Sequence, residues 1–382
     1  MFDNPFTSQE IEGRLDRLRL ALVLRELDAA VIASPENVFY LTGLDHWGYF
    51  APHLLIVPAE GMPVLVTRAM ERVSVEKQVK TASFRGHTDS ETAADMAARV
   101  LKEMKLVGRS IGFEAWTSGM SYGLGHSLQA QADAHWHDIS GVVDDMRLVK
   151  SDAEQALMRR AAAITDVATA AAIDAIQDGA READVIAECL AAMMRAGGHP
   201  PGFGPFIRPG SRLGEEHATW GDSTYKSGEP VFLELAGCVS RYHAPLGRLV
   251  RIGTIRDEDA QMAEITQKAF GAVVQTLRPG LKARDVYAAW QAVVDDAGLS
   301  HYRRHHCGYC VGIGLPPSWT GGNSVTGLRA DSDLDIRTGM SFHILSWLMG
   351  TGSGDDFISN TVLLTPNGAE VLTRTPLGPI IK

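Results

Sequence analysis

The chain has no run of about 18 apolar residues, the length a helix needs to cross a bilayer, so no segment is expected to span a membrane. It also lacks basic excess: 36 Lys and Arg stand against 46 Asp and Glu, a formal net charge of −10. A surface of that sign repels phosphate backbones and anionic headgroups, which removes nucleic acid and membranes from the expected partners. Cysteine is scarce, four residues in 382, too few for a disulfide framework in a chain this long. The segment MFDNPFTSQEIEGRL carries acidic side chains and no apolar centre, so it does not read as a secretory signal. A cytoplasmic location is the expectation.

Two of the cysteines, Cys307 and Cys310, form a CxxC within CGYC. A zinc site would need a second such pair, which the sequence does not contain. A thioredoxin-like pair would open a helix, whereas this one runs into VGIGLPP, which reads as strand and turn. Both cysteines are expected to act as small buried side chains.

What is present is an ordinary globular composition, 45% hydrophobic and 21% charged, at a length that suggests two domains. Residues 8–28 place Ile11, Leu15, Leu18, Leu22 and Leu24 at helical spacing. AAVIAS, HLLIVPA, MPVLVTR and SIGFEA follow as short apolar strands, with a helix near 119–131. That alternation predicts a mixed sheet with helices on its faces over residues 1–148. In the second domain, 149–382, Ser151 and Glu154 form a capping box ahead of a long Ala-rich helix. The segment DGAREADVIAECLAAMMRAGG (178–198) then aligns with PGLKARDVYAAWQAVVDDAGL (279–299) at an offset of 101 residues. Each copy follows a long helical segment, 151–177 and 257–278, and leads into a Gly-rich strand region. Two helix–helix–sheet halves related by a pseudo-twofold would place a ligand cleft between them.

The stretch from Val231 to Val250, VFLELAGCVSRYHAPLGRLV, concentrates the chemistry. It puts Glu234, Arg241, His243 and Arg248 into an otherwise apolar pair of strands. Such groups are costly to bury unless they pair with each other or with a ligand. An ion pair between Glu234 and Arg248 across the hairpin and a functional cluster are both open on these residues alone.

In their order along the chain these segments resemble the creatinase/prolidase/methionine aminopeptidase family, the pita-bread fold. VIASPENVFYLTGLDHWGYFAPHLLIVPAEGMPVLV is similar to the family's N-terminal domain. The repeat, EEHATWGD, GEPVFLELAGCVSRYHAPLGRLV, GYCVGIGLPPSW, RTGMSFHILSW and ISNTVLLTPNGAEVLT then keep the family's order. The resemblance implies an α/β (α+β) chain: a creatinase-like mixed-sheet domain, then a pita-bread domain built on the internal repeat.

Metal-dependent members of that family bind two cations through two aspartates, a histidine and two glutamates. The matching positions here hold Glu234, Pro245, Tyr309, Leu345 and Ser359. One carboxylate, a phenol and a hydroxyl do not make a divalent-metal site, so no metal and no other cofactor is expected. Peptide hydrolysis in this fold rests on metal-activated water, and an aminopeptidase or prolidase activity is therefore not expected. The metal-free branch includes creatinase, which the chain resembles in keeping His217 of EEHATW as a proton-transfer residue. It also includes ectoine hydrolases, whose glutamate-arginine-tyrosine-histidine-alanine-proline sequence is similar to ELAGCVSRYHAPL. The second resemblance is the closer one and implies hydrolysis of ectoine to N-acetyl-diaminobutyrate. A creatinase-like amidinohydrolase of an open-chain guanidino acid and a catalytically dead binding domain stay open beside it.

Ectoine is a cyclic amidinium that carries a carboxylate, and hydroxyectoine is the related substrate to consider. Its hydrolysis asks for a carboxylate beside the cation, a proton shuttle and a cationic clamp. Glu234 fits the first role, as nucleophile or as base. His217 and then His243 are candidates for the second, with Tyr309 as a hydrogen-bond donor to developing charge. Arg248 and Arg241 compete for the substrate carboxylate. Trp319 offers a cation–π wall, and His343, two residues before Leu345, a further contact. By resemblance to creatinase-like homodimers, Trp47, Tyr49 and Phe50 of LDHWGYFAPH (44–53) would close the pocket of the partner subunit. The alternative is that these rings staple the two domains of their own chain.

Overall fold

The Thr7 side chain accepts the Glu10 N–H and so starts the first helix, α1 (Ser8–Val23). Ile11, Leu15, Leu18 and Leu22 form its buried stripe, whereas Leu24 is 75% exposed. The helix ends a turn earlier than the apolar pattern suggests, which leaves Leu24 outside it. This is a computed structural model that describes residues 4–321 and 325–382. The chain divides into two units, one ending at Arg147 and the other beginning at Leu148.

In the first unit the strands are β1 (Ala29–Ile32), β2 (Leu54–Pro58), β3 (Val64–Arg68), β4 (Ser83–His87), β5 (Ser110–Phe113) and β6 (His135–Asp138). They pair in the order β4-β3-β2-β1-β5-β6. The β1–β2 and β2–β3 ladders are antiparallel and the others parallel, so the sheet is mixed. The helices between them are α2 (Pro35–Thr42), α3 (Arg72–Gln78), α4 (Ala93–Glu103), α5 (Tyr122–Gln131) and α6 (Val142–Arg147). Ala97, Val100 and Leu101 of α4 bury against Val31, Ile56 and Val66 of the sheet, which accounts for the apolar runs in those strands.

The second unit opens with α7 (Asp152–Ala175), whose capping box joins Ser151 and Glu154 in both directions. It continues with α8 (Glu182–Arg195), then α9 (Asp257–Thr276) and α10 (Ala283–Asp296). The bounds of α8 and α10 superpose under the 101-residue offset of the repeat. The strands are β7 (Phe206–Pro209), β8 (Pro230–Val239), β9 (Tyr242–Arg251), β10 (Gly308–Cys310), β11 (Ser341–Leu348) and β12 (Asp356–Thr365). They are ordered β10-β11-β12-β9-β8-β7, with β13 (Gly368–Val371) on β12 and β14 (Ile380–Ile381) on β9.

One face of this sheet is covered by helices. Thr165 Oγ1 of α7 receives the Gly237 N–H at 2.8 Å, and Trp290 Nε1 of α10 donates to Ser346 Oγ at 3.2 Å. The register then fixes what the other face carries, because side chains alternate along each strand. Phe206 pairs with Glu234, Glu234 with Gly247, Gly247 with Ser359 and Ser359 with Leu345. Tyr309 pairs with His343, two residues from Leu345 on the same strand. Ala236 pairs with Pro245, which puts Pro245 on this face as well. Proline has no N–H to give, and the β9–β12 ladder runs for only two pairs; nearby, Thr361 Oγ1 donates to the Pro245 carbonyl at 2.8 Å. No helix among the described residues is long and apolar enough to cross a membrane.

Candidate active site

The open face of the second sheet forms the floor of a cavity of about 440 Å³. Glu234 projects into it from the middle of β8, with a side chain only 13% exposed. Burial raises its carboxyl to about 7. The Arg208 and Arg304 guanidiniums pull that value down, and Glu216 adds to the rise. A carboxyl balanced between its two forms near neutrality has the properties of a general base.

Beside Glu234 runs a chain of polar side chains. Trp319 Nε1 donates to the Tyr309 hydroxyl at 3.0 Å. That hydroxyl lies 2.9 Å from His343 Nδ1, and His343 Nε2 lies 2.6 Å from Ser359 Oγ and 3.9 Å from Glu234 Oε1. Burial holds His343 well below the usual histidine range, so its ring is neutral. Burial and the nearby Glu234 charge push the Tyr309 phenol up, so it stays protonated.

Aromatic rings make the walls. Trp319 stands edge-on to Phe203 (4.8 Å between centroids) and to Phe206 (5.6 Å). At Gly202 any side chain would collide with the Ser318 carbonyl, and this close approach of backbones brings Phe203 beside Trp319. Arg208, fully buried, stacks 4.3 Å over the Phe232 ring. It donates to the carbonyls of Arg212 (3.1 Å) and Ala218 (3.2 Å), and so fastens the loop that carries His217. His217 adopts φ 62° and turns an exposed imidazole to the cavity, with Phe206 6.1 Å away. His305, His306, Ser318, Thr320 and Arg329 add to the polar lining.

Residues 156–366 match the model of metallopeptidase family M24, and residues 14–149 match the creatinase/prolidase N-terminal domain. The chain belongs to family M24. It is 27% identical to the ectoine hydrolase of Halomonas elongata, over 99% of this chain and 98% of the relative. It is 25% identical to the Xaa-Pro dipeptidase of Pyrococcus horikoshii, over 91% and 93%. Among solved structures, the Xaa-Pro dipeptidase from Bacillus anthracis superposes with a TM-score of 0.85 at 22% identity, covering 97% of this chain and all of that one. These likenesses fix the fold and the family and include both an ectoine hydrolase and dipeptidases.

The name of the family implies metal, and the donor set does not fit one. The five positions matched to metal ligands, Glu234, Pro245, Tyr309, Leu345 and Ser359, all lie on the open face of the sheet. Pro245 and Leu345 offer no side-chain donor, and the Tyr309 hydroxyl and Ser359 Oγ are bonded to His343. Among the described residues no group of three or more His, Cys, Asp or Glu is arranged to hold a metal ion.

The structure brings together Glu234, His217, Tyr309, Trp319 and, behind Tyr309, His343. It puts three other expected residues elsewhere. Arg248 pairs with Leu233 and so points away from Glu234, to the helix-covered face. Its guanidinium donates to the carbonyls of Gly247, Ser359, Thr375 and Pro376 at 2.6–2.7 Å, which leaves no free fork for a carboxylate and no ion pair with Glu234. Arg241 sits in the β8–β9 turn, at the far end of the hairpin from Glu234. His243 is on the Glu234 face but near that turn. Its Nδ1 donates to the Arg241 carbonyl and its Nε2 accepts the Gly202 N–H at 2.8 Å, while burial lowers it to about 4. It braces the Gly202 segment and does not line the cavity. Cys307 and Cys310 are buried and unlinked.

In the first unit Trp47 and Phe50 are 58% and 81% exposed, and Tyr49 donates to the Leu44 carbonyl at 3.0 Å. His46 holds this loop between Glu71 (3.1 Å) and His53 (2.9 Å). Phe203, Phe206, His306 and Arg329 were not legible as site residues. The run RRHH before CGYC was the one signal for His306, and Arg329 had none.

Proposed function

We propose that this M24 member opens the cyclic amidine of ectoine, giving N-acetyl-diaminobutyrate, without a catalytic metal. The observation that carries the reading is Glu234, the single carboxylate among the five family ligand positions, raised to about 7 on the floor of a small aromatic cavity. In the metal-dependent route of this fold a Lewis acid polarises the uncharged peptide carbonyl. An amidinium already carries the charge, and the Glu234 carboxylate is its natural counter-ion.

In the reaction the oxygen of one water ends on the amidine carbon. One carbon–nitrogen bond of the ring breaks, and the nitrogen that leaves gains both protons of that water and departs as an ammonium. Glu234 supplies the electron pair, either at the amidine carbon or through the water it deprotonates. His217, exposed at the cavity, carries the proton to the leaving nitrogen. Tyr309 and Trp319 shape the wall against which the planar ring lies. The exposed rings Trp47 and Phe50 fit a second copy of the chain, whose loop would close over the site, and the enzyme would then work as a homodimer in the cytoplasm.

The test is incubation of chelator-treated protein with ectoine while the ring-opened product is followed. Turnover unaffected by EDTA is expected. Absence of turnover, or turnover that appears only with added Mn²⁺ or Co²⁺, would overturn the proposal.

A further inference from the structure

With Arg248 and Arg241 away from the cavity, the anionic end of the substrate has no partner in the reaction scheme. Two residues in the cavity wall answer that need. His306 lines the cavity together with Glu234. Its Nδ1 is closed off inside the wall and has no hydrogen-bond partner there, so Nε2 is the ring nitrogen left to meet a molecule in the cavity. Arg329 lines the same cavity. Its ion-pair partner is Asp331 at 2.9 Å, whose side chain is 78% exposed. A pair so open to solvent is weak and readily exchanged for a ligand carboxylate.

The other cations near the cavity are committed. Arg208 is bonded to loop carbonyls over Phe232, and Arg304 lies 4.4 Å over the Trp347 ring and 3.6 Å from Glu216. Arg208 and Arg304 are also the guanidiniums that act on Glu234, and Arg304 and Arg329 act on His306. Among the described residues the cavity therefore has one anionic group, Glu234, with its own counter-charges and, around His306, a donor-rich corner. Tyr309 joins the two: its ring is 5.4 Å from that of His306, and its hydroxyl belongs to the network beside Glu234.

We infer that His306 and Arg329 form the subsite for the carboxylate of a zwitterionic substrate whose cationic end rests on Glu234. His306 binds as a neutral hydrogen-bond donor through Nε2, and Arg329 supplies the charge. Burial, with His305, Arg304 and Arg329 close by, lowers His306 to about 3 and keeps it neutral. The inference rests on the proposed function for the identity of the cationic end, and its test separates the two.

The experiment is calorimetric titration of the wild type, Arg329→Gln, His306→Asn and His306→Gln with two matched pairs of compounds. One pair is ectoine and the same ring without its carboxylate. The other is creatine and N,N-dimethylguanidine, which is creatine without its carboxylate. For the wild type, ectoine is expected to bind roughly ten- to a hundredfold tighter than the carboxylate-free ring, the range for a hydrogen bond to a charged group. Arg329→Gln and His306→Asn remove that gain and leave the carboxylate-free ring unchanged. His306→Gln keeps it, because the glutamine amide lies where Nε2 does. A carboxylate gain that appears only in the creatine pair and is lost in Arg329→Gln overturns the ectoine reading and leaves the subsite standing. A carboxylate gain absent from both pairs, or variants that weaken both members of a pair equally, overturns the subsite.

Discussion

The hydroxyl of Tyr309 lies 2.9 Å from Nδ1 of His343 while it accepts the Trp319 indole N–H. An indole nitrogen can only donate, so the phenol accepts from Trp319 and keeps its own proton to give. Given to His343, that proton makes Nδ1 an acceptor and puts the proton of the neutral ring on Nε2, on the side of Ser359 and Glu234. A tyrosine in the place of a ligand histidine can thus set the tautomer of a second histidine next to the cavity carboxylate.

Tyr309→Phe strands both the Trp319 N–H and His343 Nδ1. The expected cost is roughly 1–3 kcal/mol of stability, read by denaturant unfolding. Nitrogen NMR of His343 is expected to change from one tautomer to a mixture. A spectrum unchanged by the substitution would show that the phenol does not set the tautomer.

Glu234 makes activity and stability depend on pH in opposite senses. If the carboxylate form reacts, kcat/KM rises with pH through about 7, the value of the free enzyme. A bound amidinium favours the carboxylate, so the midpoint in kcat is displaced to lower pH. For folding, a carboxyl raised from 4.5 to about 7 binds its proton more tightly in the folded state. Stability is therefore present in full below pH 4.5 and is lost as pH rises to about 7, by up to roughly 3 kcal/mol. Glu234→Gln removes this loss. The variant is expected to be inactive and, above pH 7, more stable than the wild type, measured by thermal and denaturant melts at pH 5 and 8.

Arg248 separates a structural from a substrate role. Its guanidinium holds four backbone carbonyls that join β9, β12 and residues 375–376. Arg248→Met is expected to cost roughly 3 kcal/mol or more, since several buried acceptors lose their donor together. The fraction that remains folded should keep the wild-type KM for ectoine. A raised KM with unchanged stability would return Arg248 to the substrate.

That pair of roles also shows what the sequence could and could not carry. Helical spacing located the stripe Ile11-Leu15-Leu18-Leu22, and the repeat located α8 and α10, because both are short-range patterns set by one period. The face of each residue in Val231–Val250 was different. It depends on where the hairpin turns, and the turn is Ser240-Arg241, both at positive φ (47° and 66°). Two-residue turns of this kind are marked by Asn or Gly, and this one has neither. Without the turn the register was open, and Glu234 and Arg248 could be imagined on one face. Once the turn is placed, Glu234 meets Gly247 and Arg248 falls on the other side. His306 and Arg329 lie outside the long strands, where no period links sequence to position, so only the folded chain brings them to the cavity.

The loop with Trp47 and Phe50 allows a test of the homodimer that does not depend on the mass of the complex. Both rings are exposed, and the Arg68 guanidinium lies 6.0 Å over Phe50, so Trp47→Ala combined with Phe50→Ala should cost the chain no more than about 1 kcal/mol. If each loop completes the cavity of a second copy, this variant loses activity although its Glu234 is intact. The Glu234→Gln variant loses activity although its loop is intact. A mixed dimer of the two then contains one site with both the carboxylate and the loop. Partial activity is expected to return when the two inactive proteins are mixed and allowed to exchange subunits, as measured by ectoine turnover. If each loop serves its own chain, no site in the mixture has both parts and the mixture stays inactive.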